Sequence, residues 1–319
     1  MKTIVRFLAA LLLLLLLGAA SLYRPDLSPT ELEARYTDAA SHFAELESLR
    51  VHFKDEGAGP PLLLIHGTAS SLHTWDGWVA ELRDRFRLVR LDLPGFGLTG
   101  PDPAHDYSAE RRVEILKGLL DHLGIDRCSV AGNSLGGYLA WQLAARHPET
   151  VDRMVLIDAA GYPRQRQEGT TVMDLGRVPV LRDVLSRLTP RLLIAAAVRE
   201  SYGDPTKATP QIIDRYYELL LRRGNRQSFL IGLNSEREDE YHLIRTLEQP
   251  TLVMWGSEDA LIAVDAAKRF HQDLPHSELL IYPDIGHVPM EEIPERSARD
   301  AAAFLLGEVE GAQGETKVP

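Results

Sequence analysis

In Gly132-Asn133-Ser134-Leu135-Gly136-Gly137 a serine has a glycine two positions to either side, directly after the apolar run Cys128 to Ala131 and before the helical pattern Leu135 to Arg146. This frame suits a nucleophile. A sharp, strained turn from strand to helix lifts the hydroxyl clear of the backbone, and glycines two residues away let the two elements approach. A serine hydroxyl attacks an acyl carbon only when a base takes its proton and a third group orients that base. Both follow downstream, in the order Ser, Asp, His. Asp259 comes after the strand-like run Leu252 to Trp255, in Trp255-Gly256-Ser257-Glu258-Asp259. His287 comes after the next such run, in Tyr282-Pro283-Asp284-Ile285-Gly286-His287. These positions form the C-terminal mouth of a parallel sheet, where open α/β proteins hold ligands. Ser134, Asp259 and His287 are thus the candidate nucleophile, acid and base. Glu258, Asp284 and Asp158 are rival acids, of which Asp158 and Asp284 read as turn or loop caps.

Acyl transfer also needs N–H donors for the oxyanion. Leu135, first in the helix after the nucleophile, supplies one, and Thr68 in His66-Gly67-Thr68 is chosen for the other. His66 reads as a prop for this loop. Trp75 and Trp78, just beyond it, are candidate substrate-binding residues, with packing of the first helix as the alternative. Met173, Leu175, Leu193, Tyr216 and Leu230 lie at helical spacing and read as core more readily than as pocket. No Cys and His cluster has metal-ligand spacing, so no metal site is expected. The single cysteine, Cys128, reads as inert packing in a buried strand.

Positioning these groups falls to short continuous apolar runs at Leu62 to Ile65, Leu88 to Leu91, Cys128 to Ala131, Met154 to Ile157, Leu252 to Trp255 and Leu279 to Tyr282. Such runs read as strands buried on both faces. Amphipathic stretches at Ala109 to Leu123, Leu135 to Arg146 and Ala266 to Leu274 read as crossover helices, which makes the fold class α/β with a mostly parallel sheet. Phe43 to Lys54 alternates in polarity like an edge hairpin. Between Asp158 and Pro250 helical periodicity continues without a strand, at Val180 to Leu188, Arg191 to Val198 and Gln211 to Arg222, and this predicts an inserted helical cap. The expected division is core at 41–160 and 248–307, cap at 161–247, and a polar tail at 308–319.

The N-terminus is different. Lys2 and Arg6 precede an apolar run from Phe7 to Leu22, so residues 1–23 read as a signal peptide cleaved before Ser21 or as a retained membrane anchor. Membrane contact through this segment, and export as an anchored or released protein of a bacterial periplasm or cell envelope, are the resulting expectations. Residues 24–40 read as a linker with a short helix, where Ser28, Pro29 and Glu31 form its capped start. The net charge of −11 and pI near 5.5 argue against a nucleic-acid partner.

Taken together, His66-Gly67-Thr68, Asp92-Leu93-Pro94-Gly95-Phe96-Gly97, Gly132-Asn133-Ser134-Leu135-Gly136-Gly137, Gly256-Ser257-Glu258-Asp259 and Asp284-Ile285-Gly286-His287 resemble the α/β-hydrolase family. The resemblance is to its capped branch of serine esterases, lipases and meta-cleavage hydrolases, and it extends from about Leu46 to Leu306. It implies an eight-stranded sheet, a cap after the sixth strand and no cofactor. The expected function is hydrolysis of small-molecule or lipid carboxylic esters with medium-sized apolar acyl groups, through an acyl-enzyme. The alternatives are carbon–carbon bond hydrolysis of meta-cleavage products and a non-catalytic binding protein on the same fold. Ser134 stands where epoxide- and haloalkane-cleaving relatives carry aspartate, which disfavours those chemistries.

Overall fold

The computed structural model describes residue 6 and residues 22–163, 187–234 and 240–308. Its sheet contains β1 (Ser41–Leu46), β2 (Leu49–Gly57), β3 (Pro61–Ile65), β4 (Arg87–Leu91), β5 (Cys128–Asn133), β6 (Val151–Ile157), β7 (Thr251–Gly256) and β8 (Ser277–Tyr282). The spatial order is β1-β2-β4-β3-β5-β6-β7-β8. From β4 to β8 all neighbours are parallel, whereas β2 runs antiparallel to both β1 and β4. The expected α/β architecture and eight-stranded sheet are therefore present.

Alternation along each strand divides the core into two layers. Leu63 and Ile65 of β3 join one apolar cluster with helices α3 (Ala109–His122), α4 (Leu135–Arg146) and α8 (Asp265–Asp273). Leu62 and Leu64 join another with α2 (Asp76–Leu82) and α10 (Pro294–Leu306). All four of these β3 residues are fully buried, as a continuous apolar run requires. β8 departs from that expectation: Leu279, Leu280 and Ile281 are only partly buried, because β7 is its one strand partner among the described residues and its other edge is open. Cys128 is buried in β5, and burial pushes its thiol up to about 12, consistent with inert packing.

Between β6 and β7 the described chain is helical, with α5 (Arg191–Glu200), α6 (Pro210–Leu220), α7 (Asn225–Asn234) and a 3-10 turn at Tyr241–Thr246. The expected helix Val180 to Leu188 lies largely outside the described residues, as do Met173, Leu175 and all of the tail except Glu308.

The N-terminal expectations change. Apart from Leu22, the apolar run beginning at Phe7 lies outside the described residues. Among the described residues no helix is long and apolar enough to cross a membrane, and on that finding the expectation of a membrane-anchored or exported protein is corrected. Residues 24–40 contain a short helix and pack against the domain. Ser28 Oγ accepts the Glu31 N–H at 3.2 Å and starts α1 (Pro29–Tyr36), as expected, but Glu31 pairs with Arg35. Leu32 is fully buried with Leu98 and Leu219, and the Leu27 N–H donates to Leu221 O at 2.8 Å. Leu27 and Leu32 thus strap this segment onto α6 and its C-terminal turn, because an apolar residue on each is covered by the other.

Candidate active site

Ser134 directly follows β5 and caps α4 at φ 55° and ψ −113°, a backbone conformation that an L-residue holds only under constraint. The constraint is visible on both sides. Ser134 N–H donates to Ile157 O at 3.0 Å, and Ser134 O accepts from Tyr138 and Ala160, each at 3.0 Å. The flanking glycines are required by contact, since a Cβ on Gly132 would lie 2.2 Å from Gly136 O and one on Gly136 2.0 Å from Ile65 O. Strand, turn and helix therefore close on each other only with this spacing.

His287 follows β8 and Asp259 follows β7, and both are buried. His287 Nδ1 lies 2.8 Å from Asp259 Oδ2. The other Asp259 oxygen accepts the N–H groups of Leu261 at 2.7 Å and Ile262 at 3.0 Å. With both oxygens held, Asp259 accepts the Nδ1 proton and turns the Nε2 lone pair outward. His287 and Ser134 line the same cleft. Asn133, next to the nucleophile, joins the two loops: its Nδ2 donates to His287 O at 2.9 Å and to Ile157 O at 3.2 Å. The motif contains Asn133, but nothing in its spacing reveals this bridging role.

Among the rival acids, Glu258 and Asp284 stay outside this contact. Asp158, read from sequence as a turn cap, is instead fully buried at the end of β6. One of its oxygens accepts the Gly256 N–H at 3.0 Å, while the other has no hydrogen-bond partner. Burial, and after it the nearby Asp259 carboxylate, pushes the Asp158 carboxyl well above the usual carboxylate range. Donor atoms of Asp158, Asp259 and His287 lie within 4.8 Å of one another, and Asp259 and His287 are joined by a direct hydrogen bond.

The loop after β3 lies against the elbow, and a Cβ on Gly67 would come 3.2 Å from Ser134 Cβ. Thr68 borders the cleft, and Leu135 opens α4 with an N–H that has no acceptor inside the helix. His66 is the expected prop: Nε2 accepts the Leu93 N–H at 3.0 Å, so the proton sits on Nδ1, 2.7 Å from Gly67 O. Full burial lowers its pKa to about 4. Trp75 and Trp78 are not in the cleft. Both are fully buried in edge-to-face contact, and Trp78 Nε1–H donates to Ser297 Oγ on α10 at 2.9 Å. The expectation that they bind substrate is corrected, because the turn after the loop folds them inward between α2 and α10.

Two neighbouring spaces share Thr68, Ser201 and Tyr216 in their walls. The cleft over Ser134, about 1370 Å³ and open to solvent, includes polar groups of Ser70, Asp265 and Arg269. The second, about 910 Å³, lies beneath α5 to α7 and is walled mainly by apolar side chains, among them Leu193, Val198, Phe229 and Leu230. Leu193, Tyr216 and Leu230 thus border a cavity rather than filling the core. In the apolar compartment the Arg226 guanidinium is already paired with Asp26 at 2.6 Å.

The chain matches the profile described as alpha/beta hydrolase fold over residues 60–182 and 204–294. It belongs to the α/β hydrolase fold family. Within this family of hydrolases it is 32% identical to the 2-hydroxymuconate semialdehyde hydrolase of Pseudomonas putida, over 80% of this chain and 90% of the relative. Among solved structures it resembles a membrane phospholipase A described as a bacterial virulence factor, with TM-score 0.73 and 29% identity over 98% of this chain and 100% of that one. It also resembles a thermophilic esterase from Thermogutta terrifontis, with TM-score 0.72 and 26% identity over 84% of this chain and 99% of that one.

Proposed function

We propose that the protein hydrolyses carboxylic esters through a Ser134-bound acyl-enzyme, with acyl groups that are apolar and seated beneath α5 to α7. The observation that carries this reading is the buried His287 Nδ1–Asp259 contact of 2.8 Å, in a cleft shared with Ser134 and the Thr68 loop. In the first step Ser134 Oγ bonds to the ester carbon while His287 Nε2 takes its proton. The carbonyl oxygen, now negative, receives the Thr68 and Leu135 N–H groups. Collapse expels the alkoxide, which leaves as the alcohol with the proton from His287. Water then attacks the acyl-enzyme by the same route, giving the carboxylic acid and restoring Ser134.

The apolar compartment favours an ester with a hydrocarbon acyl arm, and the resemblance to an esterase and a phospholipase agrees with that. The second reading, carbon–carbon hydrolysis, is supported by the semialdehyde hydrolase relative and by a meta-cleavage product hydrolase structure at 26% identity and TM-score 0.71. An anionic ring-fission product would call for a cation: Arg226 in the apolar compartment is engaged by Asp26, whereas Arg269 borders the cleft over Ser134.

The test is a fluorophosphonate, which should label the parent protein at Ser134 and leave Ser134→Ala unlabelled. p-Nitrophenyl esters from acetate to palmitate should then be hydrolysed, and Leu193→Trp, which fills the apolar compartment, should shift the preference to shorter acyl chains. No labelling of folded parent protein would refute the nucleophile assignment. Labelling combined with inactivity on every ester and turnover of a vinylogous diketone would establish the second reading instead.

A further inference from the structure

His287 is held by its backbone as well as by Asp259. Its N–H donates to Ser201 O at 2.8 Å, and its C=O accepts from Asn133 at 2.9 Å. The remaining nearby amide, that of Gly286, donates to Glu292 Oε2 at 2.9 Å. Glu292 lies at the end of the short helix α9 (Pro289–Glu292), and its side chain is fully buried. The same Oε2 accepts the Gly203 N–H at 3.0 Å, and Oε1 accepts the Asp204 N–H at 2.9 Å. One carboxylate therefore gathers three backbone donors, from the histidine loop and from the segment joining α5 to α6.

Close approach of these two segments depends on their having no side chains at the crossing. A Cβ on Gly203 would lie 2.3 Å from Asp284 O, and one on Gly286 2.4 Å from Gly203 N. Glycine, with the widest backbone freedom of any residue type, stands directly before the base, and hydrogen bonds add to this close packing in fixing the direction of its peptide. Charge-assisted bonds to a buried carboxylate are the strongest available for this purpose.

We propose that Glu292 is a positioning residue for His287: its carboxylate fixes the Gly286 peptide against the Gly203–Asp204 turn, so that one group aims the imidazole and seats the segment roofing the cleft. The proposal rests on the Ser134, His287 and Asp259 reading above. Glu292→Gln retains the shape but has a single acceptor oxygen. Two N–H groups converge on Oε2, so the amide oxygen stays there without its charge, which weakens its hold on the Gly286 peptide, and the NH2 group confronts the Asp204 N–H and pushes that turn away from the histidine loop.

The experiment uses the full chain, with active sites counted by fluorophosphonate titration and kcat/KM measured on p-nitrophenyl butyrate and ethyl butyrate. p-Nitrophenolate departs without a proton, whereas ethoxide must be protonated by His287. Misaiming the imidazole should lower kcat/KM per titrated site on the order of 10- to 100-fold for the nitrophenyl ester, and about tenfold further for the ethyl ester. Lys207→Met, which removes a half-exposed ammonium that lies 4.0 Å from the carboxylate and donates to Glu292 O at 3.1 Å but leaves the three amide bonds in place, should leave both values within about twofold. Equal fractional losses on the two esters, or no loss per titrated site, would overturn the proposal, since a merely structural role lowers both alike. If Glu292→Gln does not accumulate folded, Glu292→Asp, which retracts the charge by one methylene, takes the same comparison. Failure of the parent to label at Ser134 would strike the underlying reading; a labelled parent with unselective losses strikes only the Glu292 proposal.

Discussion

Replacing Asp259 by asparagine should do more harm than the loss of one charge suggests, for a reason of geometry. Two N–H groups, from Leu261 and Ile262, point at Oδ1, while His287 Nδ1 faces Oδ2. Asparagine has one oxygen to offer, and satisfying two donors outweighs satisfying one, so its NH2 group is driven toward His287. The imidazole must then accept at Nδ1 and carry its proton on Nε2, where it cannot take the Ser134 proton. A wrong tautomer of this kind costs about 10⁴-fold in kcat, or about 5 kcal/mol of barrier. Asp259→Ala lacks the misplaced donor and should retain more activity than Asp259→Asn despite removing more atoms. Turnover of p-nitrophenyl butyrate, normalised to titrated sites, measures both variants. Asp259→Asn within about tenfold of the parent, or clearly more active than Asp259→Ala, would refute the tautomer argument.

Thr68→Pro, which deletes one proposed oxyanion donor, should cost about 2.7–4 kcal/mol of transition-state stabilisation, read as a 10²- to 10³-fold fall in kcat; hydrolysis of an activated ester at the parent rate would remove Thr68 from the site. Trp78→Phe should leave kcat/KM within about twofold while lowering stability by roughly 2–3 kcal/mol, through the lost Ser297 bond and the lost ring volume, which is read as a drop in Tm of several degrees. A changed acyl preference with unchanged Tm would return Trp78 to the pocket. His66 gives a pH dependence. Its folded pKa, about 4, is depressed by burial below the ordinary 6.5, so as pH falls through this window the unfolded chain takes up the proton first and stability is lost. Compared with His66→Gln, which does not titrate, the parent should lose roughly 3 kcal/mol between pH 7 and 4 in urea unfolding. Parallel pH profiles for the two proteins would contradict this.

The elbow, the order Ser–Asp–His and the burial of five of the six apolar runs could be read from residue order because their causes are local; the alternation read at Leu49 to Lys54 did not hold, since His52 and Lys54 are buried in β2 between β1 and β4. Glycines two places from Ser134 are demanded by contacts inside one strand-turn-helix unit, and uninterrupted apolar runs report burial on both faces wherever the strand is placed. β8 was misread for the converse reason: an apolar run says that its residues favour a dry environment, and only the sheet order puts that strand at an edge. Asp158 looked like a turn cap until the pairing of Ile157 with Met254 carried it, fully buried, beside Asp259. Trp75 and Trp78 followed the oxyanion loop in sequence, but hydrophobic burial has no direction, and α10 rather than the cleft covers them. Likewise Glu292 carries no sequence mark of its three amide partners, one of them 6 residues away and the others 88 and 89. Residue types and their spacing thus determined which groups are present and in what order they act, through short-range sterics and periodicity. Tertiary packing decided which of them meet, because contacts between distant segments are set by how layers close, and no local pattern encodes that.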